Sequence, residues 1–190
     1  MIASIRARLR HDDRGITLIE LMVYSALSVV VISLAGALVA NSARVNTTVQ
    51  TTAQTTGVGQ VIARSLSTGV LNADWASTPT TGTTQFFTVH TAGRGATVTW
   101  SCQAWYFTSS NGGAMYTTTS SSAITAPTGT PTGWILLGTG ISAVGSTPVF
   151  AGSGTGIVLS MNVSNGGAKP VLISTTVTKR QSASGVTSCQ

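Results

Sequence analysis

The chain has 190 residues, of which only 7% are charged while 55 are Ser or Thr, and its net charge is +6. An ordinary soluble domain is about 25% charged, so hydroxyls rather than ions keep this surface wet, a composition common outside cells. The length suits one modest domain plus a membrane anchor. The positive charge makes no nucleic-acid footprint. Beyond the first 15 residues the bases are Arg44, Arg64, Arg94, Lys169, Lys179 and Arg180, and only the last two are adjacent, whereas a nucleic-acid face needs a clustered stripe.

Residues 1–15 form a short leader in which Arg6, Arg8, Arg10 and Arg14 outweigh Asp12 and Asp13. Residues 16–40 follow with no charge except Glu20. As a helix of about 1.5 Å per residue this run crosses a hydrocarbon core of about 30 Å. Arginines on its N-terminal side leave that end cytoplasmic and send the rest of the chain across the membrane. Glu20 is the anomaly, because an unpaired charge such as Asp in a membrane helix costs about 2.5–3.5 kcal/mol on insertion scales. Two simpler readings are a signal anchor and a cleaved signal peptide with its small-x-small site at Ala35-Gly36-Ala37. Neither gives the acid a partner, and the apolar run is long for a signal peptide.

"RGITLIE" (residues 14–20) followed by "LMVYSALSVVVISLA" (21–35), which includes Tyr24, resembles the class III signal of type IV prepilins and pseudopilins. The resemblance implies cleavage after Gly15 by a prepilin peptidase, N-methylation of the new amino group on Ile16, and Glu20 as the fifth mature residue. Ile16 stands where that family most often has Phe, which bears on subunit type. Physically, cleavage gives Glu20 its partner. Residues four apart share a helix face, so the Ile16 amine pairs with Glu20 of its own chain or of a neighbour displaced by about a turn. The helix macrodipole also favours an acid at this end. The other implied partners are further pilin subunits, an assembly ATPase and an inner-membrane assembly platform. The implied location is a bacterial inner membrane, single-pass, and then an extracytoplasmic filament. No cofactor or small-molecule substrate is implied. Within the same family the alternatives are a type II secretion pseudopilin and a competence pilin for DNA uptake; from another class, a signal-anchored surface adhesin or enzyme.

Residues 41–72 read as an amphipathic continuation of the helix, to about Val70, through Val45, Val49, Ala53, Val61, Ile62, Leu66 and Val70. Thr47, Thr48, Thr51, Thr52, Thr55 and Thr56 read as a solvated face, and Gly57 and Gly59 as places where the helix loosens or kinks. The fold expected is α+β: a long N-terminal helix packed on an antiparallel sheet formed by a β-rich domain at 73–190.

Within that domain, residues 72–84 read as a loop and "QFFTVH" as a strand. "ATVTWSCQAWYF" places Val98, Trp100, Cys102, Ala104 and Tyr106 on one face, and "SSNGG" turns the chain into "AMYTTT". This hairpin is similar to that of W-type minor pilins and J-type pseudopilins. Residues 123–133 read as a loop, "WILLG" as a short buried strand, and "GIVLSMNV" with "PVLISTTVTK" as a second hairpin. Two cysteines in an exported domain imply a Cys102–Cys189 disulfide that ties down the tail; their spacing fits no zinc site. Asn46 and Asn162 sit in glycosylation sequons, a weak signal in a bacterial setting. Enzymatic chemistry lacks material. Past the leader the acids are Glu20 and Asp74 and the one histidine is His90, expected at a strand end near solvent. A Cys102–His90 nucleophile pair is outweighed by the disulfide.

Overall fold

A computed structural model describes residues 17–93, 97–153, 155–165, 169–180 and 189. The chain divides into two compact units, residues 1–47 and 48–190. One helix, α1 (Leu18–Leu71), belongs to both. It starts on a threonine cap: the Glu20 amide donates to Thr17 Oγ1 at 3.3 Å and the Leu21 amide to the Thr17 carbonyl at 3.1 Å, which satisfies amides the first turn otherwise leaves open.

In the first unit α1 exposes its apolar side chains. Leu18 is 80% exposed and Val39 70%, and none of the most apolar 18-residue window is buried. This is the one helix among the described residues long and apolar enough to cross a membrane.

In the second unit α1 packs on an antiparallel sheet, giving the α+β layout. Strands β1 (Ala73–Ala76), β2 (Thr84–Ala92), β3 (Trp100–Thr108), β4 (Ala114–Ser120) and β5 (Ile135–Thr139) pair in chain order, all antiparallel. A second sheet is built around β8 (Gly156–Val163). It pairs antiparallel with β9 (Val171–Thr178) and also with β6 (Ile141–Ser142) and β7 (Phe150–Ser153). The main core joins Ile62, Leu66 and Val70 of α1 to Phe87, Trp105 and Met115 of the first sheet and Ile157, Leu159 and Met161 of the second. The opposite face of the first sheet carries a smaller cluster of Phe86, Cys102, Ala104, Tyr106, Ile124 and Cys189. Covering both faces explains why Phe86 and Phe87, adjacent in sequence, are both buried.

The contact face of α1 matches the expected one in part: Ile62, Leu66 and Val70 are buried as expected. Val45, Val49 and Val61 are exposed, whereas Thr55, Gly59, Ile62, Leu66, Gly69 and Val70 are buried. Close approach selects small residues here. A Cβ at Gly59 meets the Ile173 side chain on β9, and one at Gly69 meets the Trp105 ring. The helix includes Gly57 and Gly59 without interruption. The threonine face is solvated only in part: Thr55 is buried, its hydroxyl donating to the Thr51 carbonyl at 2.8 Å.

Four strand-level expectations are corrected. Residues 72–84 contain β1, because Ala73 and Asp74 are buried and the backbone pairs with β2 across a bulge. Strand β3 begins at Trp100, leaving Val98 67% exposed. The strand in "WILLG" is not buried. As β5 it lies at the sheet edge, with Ile135 and Leu136 exposed and only Leu137 packed on the core. The short strands β6 and β7 were not expected; Gly and Ser around them hide their pattern. The β3–β4 and β8–β9 hairpins are present.

Candidate functional site

Gly15 and Ile16, the expected cleavage and N-methylation positions, lie outside the described residues, as does the whole 1–15 leader. Glu20 is described. It sits in the first turn of α1 among Leu18, Ile19, Leu21 and Met22, all more than 60% exposed. Its Oε1 accepts a hydrogen bond from the Tyr24 hydroxyl at 3.1 Å. The i, i+4 spacing that aligns the two was legible in the sequence, although the pairing itself was not expected. A surface of this composition suits lipid or other apolar helices, because contiguous exposed apolar area of this size is otherwise a site of association.

Farther along, the first unit carries hydroxyls that do not oppose burial in lipid. Ser25 donates to the Met22 carbonyl at 2.9 Å and Ser33 to the Val29 carbonyl at 2.7 Å. Each hydroxyl finds its acceptor within the helix, so neither needs water.

Cys102 on β3 and Cys189 are joined by a disulfide, with their Cα atoms 5.6 Å apart and a sequence separation of 87. Cys189 is fully buried, and its carbonyl accepts from the Ile124 amide at 3.0 Å. The bond therefore fixes Cys189, and with it Ile124 of the 121–134 loop, over the aromatic face of the first sheet. There Trp134 packs edge-on against Tyr106 at 6.3 Å and beside Phe86 at 6.5 Å.

His90 lies within β2 rather than at its end and is half-buried. Its Nδ1 is 2.9 Å from Asp74 Oδ1 and its ring stacks on Trp100 at 5.0 Å. Lys179 reaches the Asp74 carbonyl at 3.5 Å. This cluster ties β1, β2 and the end of β9 together. With both cysteines in the disulfide it holds no thiol nucleophile. Among the described residues no group of three or more His, Cys, Asp or Glu is placed to hold a metal. A hollow of about 310 Å³ lies between the end of α1 and the start of β3, lined by Leu71, Asn72, Ala73, Ala92, Val98, Trp100 and Arg180. Among the described residues its one charged side chain is Arg180.

The described site is thus a polar pair on an apolar helix, carried by a disulfide-closed β domain. No protein-family model, curated protein or solved structure matches the chain.

Proposed function

We propose that the protein is a structural subunit, and a minor one, of a type IV pilus or related filament. In this reading a prepilin peptidase cuts after Gly15 and methylates the Ile16 amine. The subunit waits in the inner membrane with the residues after Ala40 outside the cytoplasm, and it then joins other pilin subunits through the N-terminal helix, served by an assembly ATPase and platform. The observation that carries the proposal is the first unit of α1. Its apolar surface is fully exposed and broken by a single acid, in the register that follows Gly15-Ile16. Such a surface is not stable in water. A bilayer covers it before assembly and the helices of neighbours cover it afterwards, so the same side chains serve both states.

Glu20 supplies direction to that exchange. A lone carboxylate is costly in lipid, and pairing with an amine lowers the cost. A growing filament offers the Ile16 amine of another subunit, so the acid gains most where it can be paired. Methylation retains the positive charge and leaves the pairing intact.

The experiment is Glu20→Ala in the producing cell, following leader cleavage and recovery of the chain in sheared filaments. Cleavage stays largely intact, because the partner of the acid exists only after the cut, while incorporation falls. Normal incorporation of the variant contradicts the proposal.

A further inference from the structure

The first turn of α1 holds half of a familiar arrangement. Thr17 and Glu20 stand in the Thr-x-x-Glu spacing of a capping box, in which the cap hydroxyl accepts from the amide three residues on and the Glu side chain folds back to the amide of the cap residue. The first half is formed, the Glu20 amide donating to Thr17 Oγ1 at 3.3 Å. The Glu20 side chain turns the other way, its Oε1 accepting from Tyr24 Oη at 3.1 Å. Tyr24 is itself 56% exposed, so the pair stands on the outer surface of the helix.

We infer that Tyr24 is a positioning residue for assembly: its hydroxyl holds the Glu20 carboxylate on the outer surface of the helix, where the amino terminus of a different subunit can reach it. The inference rests on the assembly role proposed for Glu20. Two amines compete for that carboxylate, one on its own chain four residues back and one on a neighbour. Nothing in helix spacing alone favours the neighbour, because i and i+4 lie on one face. A donor that fixes the carboxylate on the exposed helix surface keeps it within a neighbour's reach.

The chemistry suits a lipid setting. A phenol donating to a carboxylate forms a charge-assisted hydrogen bond, and a low dielectric strengthens it. A carboxylate has about four lone-pair sites, so an incoming amine binds without displacing Tyr24. The tyrosine thus supports the acid before its partner arrives and aims it at that partner afterwards.

The test compares wild type, Tyr24→Phe, Glu20→Gln and the double variant, each expressed in the producing cell. Leader cleavage is read by mass and incorporation by the share of the chain in sheared filaments. Tyr24→Phe keeps the ring and removes only the hydroxyl. The result expected is normal cleavage with about tenfold or more lower incorporation, the scale of one lost hydrogen bond to a charged group. In the Glu20→Gln background the same change has little further effect. Glu20 is the one glutamate in the chain, so ¹³C-labelled glutamate gives a carboxylate infrared band for it alone, and Tyr24→Phe shifts that band in the membrane-embedded form. Wild-type incorporation of Tyr24→Phe, an unmoved band, blocked cleavage, or an equal loss in the Glu20→Gln background each overturns the inference while leaving the filament proposal standing. Glu20→Gln that incorporates like wild type overturns both.

Discussion

Tyr24 Oη lies 3.1 Å from Glu20 Oε1, one helical turn away on a surface otherwise given over to Leu, Val and Ile. Of the described residues only Glu20 and Asp74 are acids, and they are used in opposite ways. Asp74 is buried against His90 inside the β domain, where it joins strands. Glu20 stands outward on the exposed apolar stretch of α1. A buried acid whose partners are already in place is a fold element. In the proposed filament, the outward acid is an element of assembly.

The disulfide gives a prediction about the β domain. Replacing Cys102 and Cys189 together by Ala removes the clip that holds Cys189, and with it Ile124 of the 121–134 loop, on the aromatic face. Loss of a native disulfide that closes a loop of this length costs about 2–5 kcal/mol. Denaturant unfolding of a fragment carrying residues 48–190, if it folds, gives the cost; for the full chain in detergent, thermal unfolding serves. Trp134, against Tyr106 and Phe86, is the local probe, and its fluorescence shifts toward that of a solvated indole. Peptide mapping without reductant recovers Cys102 and Cys189 in one linked pair; two free thiols in extracytoplasmic material contradict the clip.

Two glycines on one helix make opposite predictions. A Cβ at Gly57 meets nothing within 4 Å, so Gly57→Ala stabilises the β domain by about 0.5–1 kcal/mol through helix propensity. A Cβ at Gly69 runs into the buried Trp105 ring and Gln103 Oε1. Gly69→Val therefore overpacks the core and destabilises by about 1–3 kcal/mol. The same thermal unfolding series checks both, and equal effects at the two positions contradict the packing described for α1.

The minor-subunit proposal concerns stoichiometry. In the proposed filament, the long Thr- and Gly-rich segments at 78–84 and 126–133 would crowd a lattice in which every neighbour is the same chain, and Ile16 stands where the resembled family most often has Phe. The chain then packs beside different pilins. Quantitative mass spectrometry of sheared filaments, with the other pilins as reference, returns it as a small fraction. If it makes up most of the filament mass, the minor assignment is wrong and the family proposal is untouched.

The sequence carried the long helix, the α+β layout and both hairpins, because these rest on runs of seven or more residues with one dominant signal. It misplaced what depends on close approach. Gly59 and Gly69 are poor hydrophobes, yet they join Ile62, Leu66 and Val70 on the buried face of α1 because Ile173 and Trp105 approach them closely, while Val45 and Val49 stay exposed. Strand β1 was hidden in a segment rich in Thr, Pro and Asp, since its pairing with β2 is set by a partner that is remote in sequence. "WILLG" read as buried from composition, yet an edge strand has a neighbour on one side only, and Ile135 and Leu136 remain exposed. At the candidate site Glu20 stood out as a charge without a partner. Tyr24 did not, because an aromatic in an apolar helix looks like any other large side chain until its hydroxyl is placed.

The account stands most directly on the mature N-terminus. Intact mass of the membrane-embedded protein, with N-terminal sequencing, settles where the chain begins. The account predicts a chain starting at Ile16 with a methylated α-amino group. A chain that retains Met1, or one that begins at Asn41, contradicts it.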